Sequence, residues 1–304
     1  MTRKICFLTV CLLCAIFTIA SARAARGLRD SKRVVTPGKF SFAVIGDTGT
    51  GKSGQLDVAH VMETVYEKEP FELVLMLGDN IYGGVNSRAF RKRFEQPYHN
   101  LITRDVQFQA VLGNHDKGGV KREVGYDPFN MAGSRYYTFT RGLSEGGAPL
   151  AQFFALDSSK MGNEQLAWLE KELAESRAIW KIPFFHHPIY SSGRTHGSNL
   201  KLRANLEPLF ARYGVQVALS GHDHIYERIK PQQGIIYFVS GSGGKLRKGD
   251  IRRKDPIFAA GNDETCHFML FEIEANEVRF RAIDINGVAI DQGVISAKRN
   301  VNGQ

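Results

Sequence analysis

Residues 73–82 read Leu73-Val74-Leu75-Met76-Leu77-Gly78-Asp79-Asn80-Ile81-Tyr82, and the expected architecture follows from this run. Five consecutive large apolar residues are typical of a strand buried on both faces, as in a parallel sheet covered by helices. Gly78 ends the strand, and Asp79 enters the loop at its carboxyl end, where open α/β sheets bind their ligands. We therefore expect Asp79 to lie in a functional site.

Four other apolar runs end in the same way. The runs and the polar residues that follow them are 40–45 with Gly46-Asp47, 108–112 with Gly113-Asn114-His115-Asp116, 182–185 with His186-His187, and 215–219 with Ser220-Gly221-His222-Asp223-His224. Because the carboxyl ends of parallel strands meet at one edge of a sheet, these side chains should converge there. Carboxylate, amide and imidazole groups are metal ligands, so the pattern predicts a site for metal ions.

The remaining pattern indicates an α/β protein. Amphipathic helices are predicted at 55–68, with Leu56 on the inward side, and at 87–98, 163–177 and 200–213. Strands that alternate with helices predict parallel pairing with the helices packed on a face. The tail, residues 265–290, alternates apolar and polar residues and contains two turn signals, which predicts antiparallel strands that close a second sheet.

The amino-terminal region has the pattern of a signal peptide at 1–24. Arg3 and Lys4 precede an apolar run at 5–20, followed by small residues suited to cleavage. An uncleaved anchor is the alternative, but the run is shorter than the roughly 20 residues a membrane span needs. We expect a leader at 25–39, a single catalytic domain at 40–298 and a secreted or periplasmic monomer without membrane attachment after cleavage.

Cysteine content and charge narrow the functional classes. Three of the four cysteines lie in the predicted signal peptide, so the mature chain would keep only Cys266 and have no internal disulfide. Removing three basic residues with that peptide lowers the formal charge from +9 to +6. A mild positive excess suits an anionic substrate. The chain lacks long basic runs and base-stacking motifs, which argues against nucleic acid as a partner.

Residues 46–53, Gly-Asp-Thr-Gly-Thr-Gly-Lys-Ser, match the phosphate-binding loop of nucleotide hydrolases. The match follows a strand and precedes a helix, as that motif requires. Two observations weigh against it. Export would remove the protein from the cytosolic nucleotide pool, and nucleotide binding would leave the Asn114, His115 and histidine-rich loops without a role.

The ligand set suits two metal ions a few ångströms apart, which together hold and activate a phosphate ester. Asp79 is the expected bridge, because a carboxylate has two oxygens to share. The remaining predicted ligands divide into Asp47 and His224 for one ion, and Asn114, His186 and His222 for the other.

Tyr82 indicates the type of metal. A phenol with a pKa of about 10 becomes a ligand near neutral pH only beside a strong Lewis acid, which favours Fe(III). With Fe(III) and a divalent ion, the three anionic ligands would leave a cationic site that attracts a phosphate dianion. The alternative is that Tyr82 is a packing residue and the site holds zinc.

Several assignments have a second interpretation. His186 and His187 form a double histidine where one ligand is expected, so His187 could replace His186 as the ligand. Asp116 could orient His115 or cap a turn. The basic residues at 245–254 could attract phosphate or simply be hydrated, and we favour hydration.

Five blocks taken together resemble the metal-binding motifs of the calcineurin-like metallophosphoesterases. They are Gly46-Asp47-Thr48-Gly49, Gly78-Asp79-Asn80-Ile81-Tyr82, Gly113-Asn114-His115-Asp116, His186 to Tyr190 and Gly221-His222-Asp223-His224. The version with Tyr82 is similar to purple acid phosphatases of the small tartrate-resistant type. The resemblance implies a four-layer α/β/β/α sandwich of two mixed sheets and an Fe(III) paired with Fe(II), Zn(II) or Mn(II). It also implies that His115 and His196 hold the phosphate or protonate the leaving oxygen.

The combined expectation is an exported binuclear acid phosphatase. A metal-bound hydroxide would attack small phosphomonoester substrates at acidic pH, with His115, His196 and Asp116 as catalytic residues. A phosphodiesterase of the same fold is the alternative. A nucleotide hydrolase and a non-catalytic secreted metal-binding protein are less favoured.

Overall fold

The computed structural model describes residues 38–298. The predicted signal peptide, and all of the leader except its last two residues, lie outside the described residues. Within the described part of the chain, no helix is long and apolar enough to cross a membrane.

The first sheet has six strands, of which three form its parallel part. These are β1 (Lys39–Ile45), β2 (Leu73–Met76) and β3 (Gln107–Ala110), and β2 lies between the other two. The tail adds β11 (His267–Glu274), β12 (Glu277–Asp284) and β13 (Ala289–Ser296) as antiparallel strands beyond β1. The prediction that the tail closes a second sheet is therefore wrong. The free edge of β1 offers the tail a partner, and β11 buries side chains on both faces as an interior strand does.

The second sheet has seven strands in the order β10-β8-β9-β7-β6-β5-β4. Its strands are β4 (Tyr137–Leu143), β5 (Pro149–Ala155), β6 (Trp180–Phe185), β7 (Val217–Ser220), β8 (Tyr226–Ile229), β9 (Ile236–Ser240) and β10 (Phe258–Asn262). Neighbouring strands among β5, β6, β7 and β9 pair in parallel. The sheet continues with antiparallel pairing to β4 at one end and to β8 and β10 at the other. Both sheets are thus mixed.

The helices complete the two outer layers. They are α1 (Ser53–Lys68), α2 (Ser87–Phe90), α3 (His99–Thr103), α4 (Val120–Val124), α5 (Asn163–Glu175) and α6 (Leu200–Arg212). A π-helical turn, Arg91–Glu95, continues α2, and short 3-10 turns occupy Asp116–Gly118 and Asp127–Phe129. Leu56 is exposed on α1, contrary to expectation, because Gln55, Val58 and Met62 form the inward face of this helix.

Three large apolar clusters and one small one hold the layers of residues 38–298 together. Alternate residues of β1 show the arrangement: Phe42 and Val44 pack between the sheets, whereas Ala43 and Ile45 face α1 and its neighbours. The outer face of the second sheet packs against α5 and α6. The predicted four-layer α/β/β/α sandwich is confirmed, and the burial of both strand faces explains their unbroken apolar sequences.

Candidate metal centre

The predicted ligands meet at the carboxyl ends of the strands. Asp47 follows β1, Asp79 follows β2, His186 follows β6 directly, and His222 and His224 follow β7. The loop after β3 brings Asn114 to the same place. The two sheets therefore contribute to one site, and its donors divide around Asp79 into two groups. We call Asp47, Tyr82 and His224 the tyrosine side, and Asn114, His186, His187 and His222 the histidine side.

The tyrosine side is built from oxygen donors and one imidazole. The Tyr82 hydroxyl lies 2.9 Å from Asp79 Oδ2 and 3.2 Å from Asp47 Oδ1. His224 Nε2 lies 3.4 Å from Asp47 Oδ1. The other Asp47 oxygen accepts a hydrogen bond of 2.8 Å from the backbone amide of His222. One oxygen of Asp47 thus faces Tyr82 and His224, while the other holds the loop that carries the histidines.

The histidine side centres on His186, which is fully buried. Its Nε2 lies 2.9 Å from Asn114 Oδ1, 3.1 Å from His222 Nδ1 and 3.5 Å from Asp79 Oδ1. Its Nδ1 lies 2.9 Å from the Leu77 carbonyl oxygen. A carbonyl can only accept, so Nδ1 carries a proton, and Nε2 is the nitrogen that faces the Asn114 and Asp79 oxygens, where it could bind a metal ion.

The electrostatics of the site favour bound cations. Asp47 and Asp79 are buried within hydrogen-bonding reach of the same phenol, and no Lys or Arg among residues 38–298 forms an ion pair with either. Burial, with Asp79 nearby, raises the pKa of Asp47 well above its usual value. Burial also opposes ionisation of Asp79, but His186 and the His115 amide lower its pKa overall. Metal ions would supply the missing positive charge, so the donor set fits the expected metal pair.

Tyr82 has an environment that keeps its phenol protonated in the metal-free protein. Burial and the two carboxylates raise the pKa of Tyr82 far above its ordinary value. The Lys245 ammonium lies 3.8 Å from the centre of the Tyr82 ring, on the outer part of the site. Only a strong Lewis acid could displace this proton, which is consistent with the type of ion expected from the sequence.

The ligands depend on a strained backbone and on adjacent glycines. Asp47, Asp79 and His222 adopt left-handed φ angles of 54°, 51° and 72°, which side chains with a Cβ rarely adopt. A Cβ on Gly113 would lie 2.2 Å from Asp79 Oδ1, and one on Gly221 would lie 2.7 Å from Asp47 Oδ2. Glycines beside the ligands are therefore needed because another ligand occupies the space of their side chains.

The three predicted catalytic residues have different positions. His115 is exposed at the site, with its ring centre 5.0 Å from that of Tyr82 and its amide donating to Asp79 Oδ1 at 2.9 Å. Asp116 is buried beneath, where its carboxylate accepts from the Gly113 amide at 2.8 Å and, more weakly, from the amides that follow Asp79. No hydrogen bond among residues 38–298 joins Asp116 to the His115 ring. In this geometry Asp116 ties the loops after β2 and β3 together.

His196 reaches the site from the loop between β6 and α6. Its ring centre is 4.3 Å from that of His222. Buried carboxylates hold this loop: Asp223 accepts from Ser191 Oγ at 2.5 Å and from the Gly197 amide at 3.2 Å, while Glu227 accepts from the Ser192 amide and hydroxyl. No local sequence pattern predicts these contacts, because their partners lie more than 25 residues apart.

The segment that matched a nucleotide-binding loop has no free phosphate cradle. Its amides already have acceptors: Gly49 bonds to Asp79 O at 3.3 Å, Thr50 to Thr48 O at 2.6 Å, Gly51 to Gln55 Oε1 at 2.7 Å and Lys52 to Thr50 Oγ1 at 3.1 Å. Asp47, within the same segment, faces the metal centre. The local match therefore serves a different site.

Comparison with known proteins gives a consistent assignment. Residues 40–226 match the family described as calcineurin-like phosphoesterase. Purple acid phosphatase 7 of Arabidopsis thaliana is 27% identical over 98% of this chain and 99% of its own length. Tartrate-resistant acid phosphatase type 5 of Homo sapiens is 26% identical over 82% of this chain and 88% of its own length. A solved structure of GAP50, the anchor in the inner membrane complex of Plasmodium, superposes with a TM-score of 0.76 at 22% identity, covering 86% of this chain and 90% of that one. At this identity the likeness to GAP50 shows the fold alone.

Proposed function

Because this chain belongs to the calcineurin-like phosphoesterase family, we propose that it is an exported acid phosphatase that hydrolyses phosphomonoesters at a centre of two metal ions. One observation carries the proposal. Side chains from loops in both sheets converge within hydrogen-bonding distance of one another around Asp79, with Tyr82 and the imidazole of His186 on opposite sides.

Each side would hold one ion. Asp47, Tyr82 and His224 would hold a trivalent iron, Asn114, His186 and His222 would hold a divalent iron, zinc or manganese ion, and Asp79 would contact both. When bound, this pair would neutralise phosphate charge and supply an activated water at acidic pH.

The chain's own residues would orient the substrate and transfer protons. His115 is exposed beside Tyr82, where its ring can hold a phosphate oxygen or donate a proton to the leaving oxygen. His196 approaches from the opposite loop, against His222, and is suited to the same task on the other side. Asp223 and Glu227 would keep His196 in place through their bonds to its loop.

Residues 1–24 would direct export and be removed, and residues 40–298 would form the single catalytic domain. The mature protein would be a monomer that acts on small phosphorylated molecules in a secreted or periplasmic compartment.

The test is a pH series of hydrolysis rates with aryl phosphate monoesters and diesters, together with metal analysis of the exported protein. We expect two metal ions per chain, a rate maximum below pH 7 and faster cleavage of the monoester. Faster cleavage of the diester would support the phosphodiesterase alternative. Bound metal without turnover of either substrate would overturn the enzymatic proposal. Lys52→Ala is a control that removes the lysine on which phosphate binding by the nucleotide-binding motif would depend, and it should leave the rate unchanged.

A further inference from the structure

His187 is the residue of the histidine side to which no role has yet been given. It follows His186 directly, yet its ring lies within the same group of imidazoles. The ring centres of His187 and His222 are 4.4 Å apart, and those of His187 and His186 are 4.9 Å apart. One nitrogen from each of these three histidines lies within 4.8 Å of the others. Neighbouring side chains usually diverge, so this convergence requires a cause.

The cause is Ser158, in the loop after β5. Its Oγ accepts a hydrogen bond of 2.9 Å from the His187 backbone amide and lies 2.9 Å from His187 Nδ1. A serine oxygen has two lone pairs, so it can accept from both groups. Nδ1 would then carry the proton, and Nε2 would be the nitrogen left to bind a cation. This is the arrangement of a metal-ligating histidine, whose second nitrogen donates to an oxygen outside the coordination sphere.

We propose that His187 is an additional nitrogen ligand of the ion on the histidine side, and that it selects zinc over manganese there. The inference rests on the proposed metal pair. With His187, three imidazoles would hold this ion together with Asn114 and the shared Asp79. Imidazole favours zinc among the expected divalent ions, whereas manganese prefers oxygen ligands.

The alternative is that His187 contacts the substrate. The ring is partly exposed, so a phosphate oxygen could reach it. The two roles differ in what they predict for the protein without substrate. A ligand changes metal affinity and selectivity, whereas a substrate contact changes only KM and the rate.

The experiment uses the full exported protein, stripped of metal and then reconstituted with iron and an equimolar mixture of zinc and manganese. His187→Gln keeps a hydrogen-bonding side chain but removes an imidazole. The matched control is His60→Gln, which removes an exposed imidazole on α1. The readout is the zinc-to-manganese ratio per chain by elemental analysis, with circular dichroism to verify folding.

We expect the zinc-to-manganese ratio to fall by about 10-fold or more in His187→Gln and to be unchanged in His60→Gln. Ser158→Ala should lower zinc affinity by about 10-fold with the ring still present, since loss of an outer partner costs roughly 10- to 100-fold. This second variant tests the inference even if His187→Gln does not fold. An unchanged ratio and affinity in the folded variants would overturn it. Wild-type protein that binds no metal would instead overturn the proposed function itself.

Discussion

The tyrosine side and the histidine side of the metal centre differ in their donor chemistry, although they share one sheet edge. The tyrosine side combines a carboxylate and a phenol with a single imidazole, and a lysine covers the phenol. The histidine side has three imidazoles and an amide oxygen, none of which is an anionic donor. Anionic oxygens suit a small, highly charged ion, whereas neutral nitrogens suit a borderline divalent ion. In the proposed centre of two ions, the two positions would therefore select different metals.

One residue, Asp79, contacts both sides. Asp79 Oδ2 faces Tyr82, whereas Asp79 Oδ1 faces His186 and accepts from the His115 amide. The left-handed backbone at Asp79 and the absence of a side chain at Gly113 make this position possible. Neither side is complete without this carboxylate.

The largest effect is expected from Asp79→Asn, which breaks both sides together. The amide offers one acceptor where the carboxylate offers two charged oxygens, so both ions should bind weakly. Turnover should fall by well over the roughly 100-fold that follows the loss of an outer-shell partner. The measurement is metal content and kcat of the purified protein. Retention of both ions would show that Asp79 does not bridge them.

Tyr82→Phe should break the tyrosine side alone. The variant lacks the phenol oxygen, so iron content and any visible absorption from a phenolate–iron bond should be lost while the divalent ion stays bound. We expect kcat to fall roughly 100-fold, the scale of losing one electrostatic stabiliser. Absorption spectra and elemental analysis test this. An iron-dependent colour that persists in Tyr82→Phe would contradict the assignment of this phenol as a ligand.

In metal-free protein the two sides should respond to pH in opposite ways. Burial and the neighbouring imidazoles lower the pKa of His222 to about 2, so its contribution to stability is present above pH 6.5 and is lost as the pH falls. Burial and Asp79 raise the pKa of Asp47, so its contribution is present below about pH 4 and is lost as the pH rises.

The measurement is the free energy of unfolding by urea between pH 4 and pH 8. Asp47→Asn should flatten the decline toward high pH, and His222→Gln should flatten the decline toward low pH. Reloading metal should reduce both dependences, because the ions replace protons as the partners of these groups. Identical pH profiles for the two metal-free variants would contradict the division into an acidic and an imidazole side.

The smallest effect is expected from Lys245→Met. A cation over an aromatic ring contributes about 0.5–2 kcal/mol, so metal binding on the tyrosine side should weaken by less than about 30-fold. Burial, together with the charges of Lys245 and Arg247, lowers the pKa of His224 to about 4. Removing the lysine should therefore raise the pKa of His224 in metal-free protein, which NMR titration would detect.

The matched control is Lys248→Met, which removes an exposed ammonium whose one ion pair among residues 38–298 is with Glu264. A shift of the His224 pKa in this control equal to that in Lys245→Met would show that the effect comes from the general charge of the loop. The shift of the His224 pKa would then not depend on the contact between Lys245 and Tyr82.

Much of the architecture could be predicted from local patterns. The apolar run that ends at Asp79 indicated a doubly buried strand, and the similar ends of four other runs indicated that their polar residues meet. These predictions held because strand burial and strand direction depend on residues close in sequence. The prediction for the tail strands is wrong, since their alternation of apolar and polar residues is equally compatible with pairing at the edge of the first sheet or in a second sheet.

The contacts around the ligands were beyond local patterns. Ser158 beneath His187, Lys245 over Tyr82 and Glu227 behind the His196 loop join segments that are far apart in the chain. Nothing in the sequence near Ser158 distinguishes it from a serine in any turn. The double histidine was the one local signal of an unusual ligand set.

Hydrophobic periodicity and glycine position, read from the chain alone, were sufficient to predict the layered fold and the edge of the sheet at which the candidate ligands meet. Folding in three dimensions set which donors share an oxygen, which imidazole nitrogen is free and which cation covers the phenol. The reason is physical: these properties depend on distances of about 3 Å between loops from two sheets, and packing of the whole core fixes such distances.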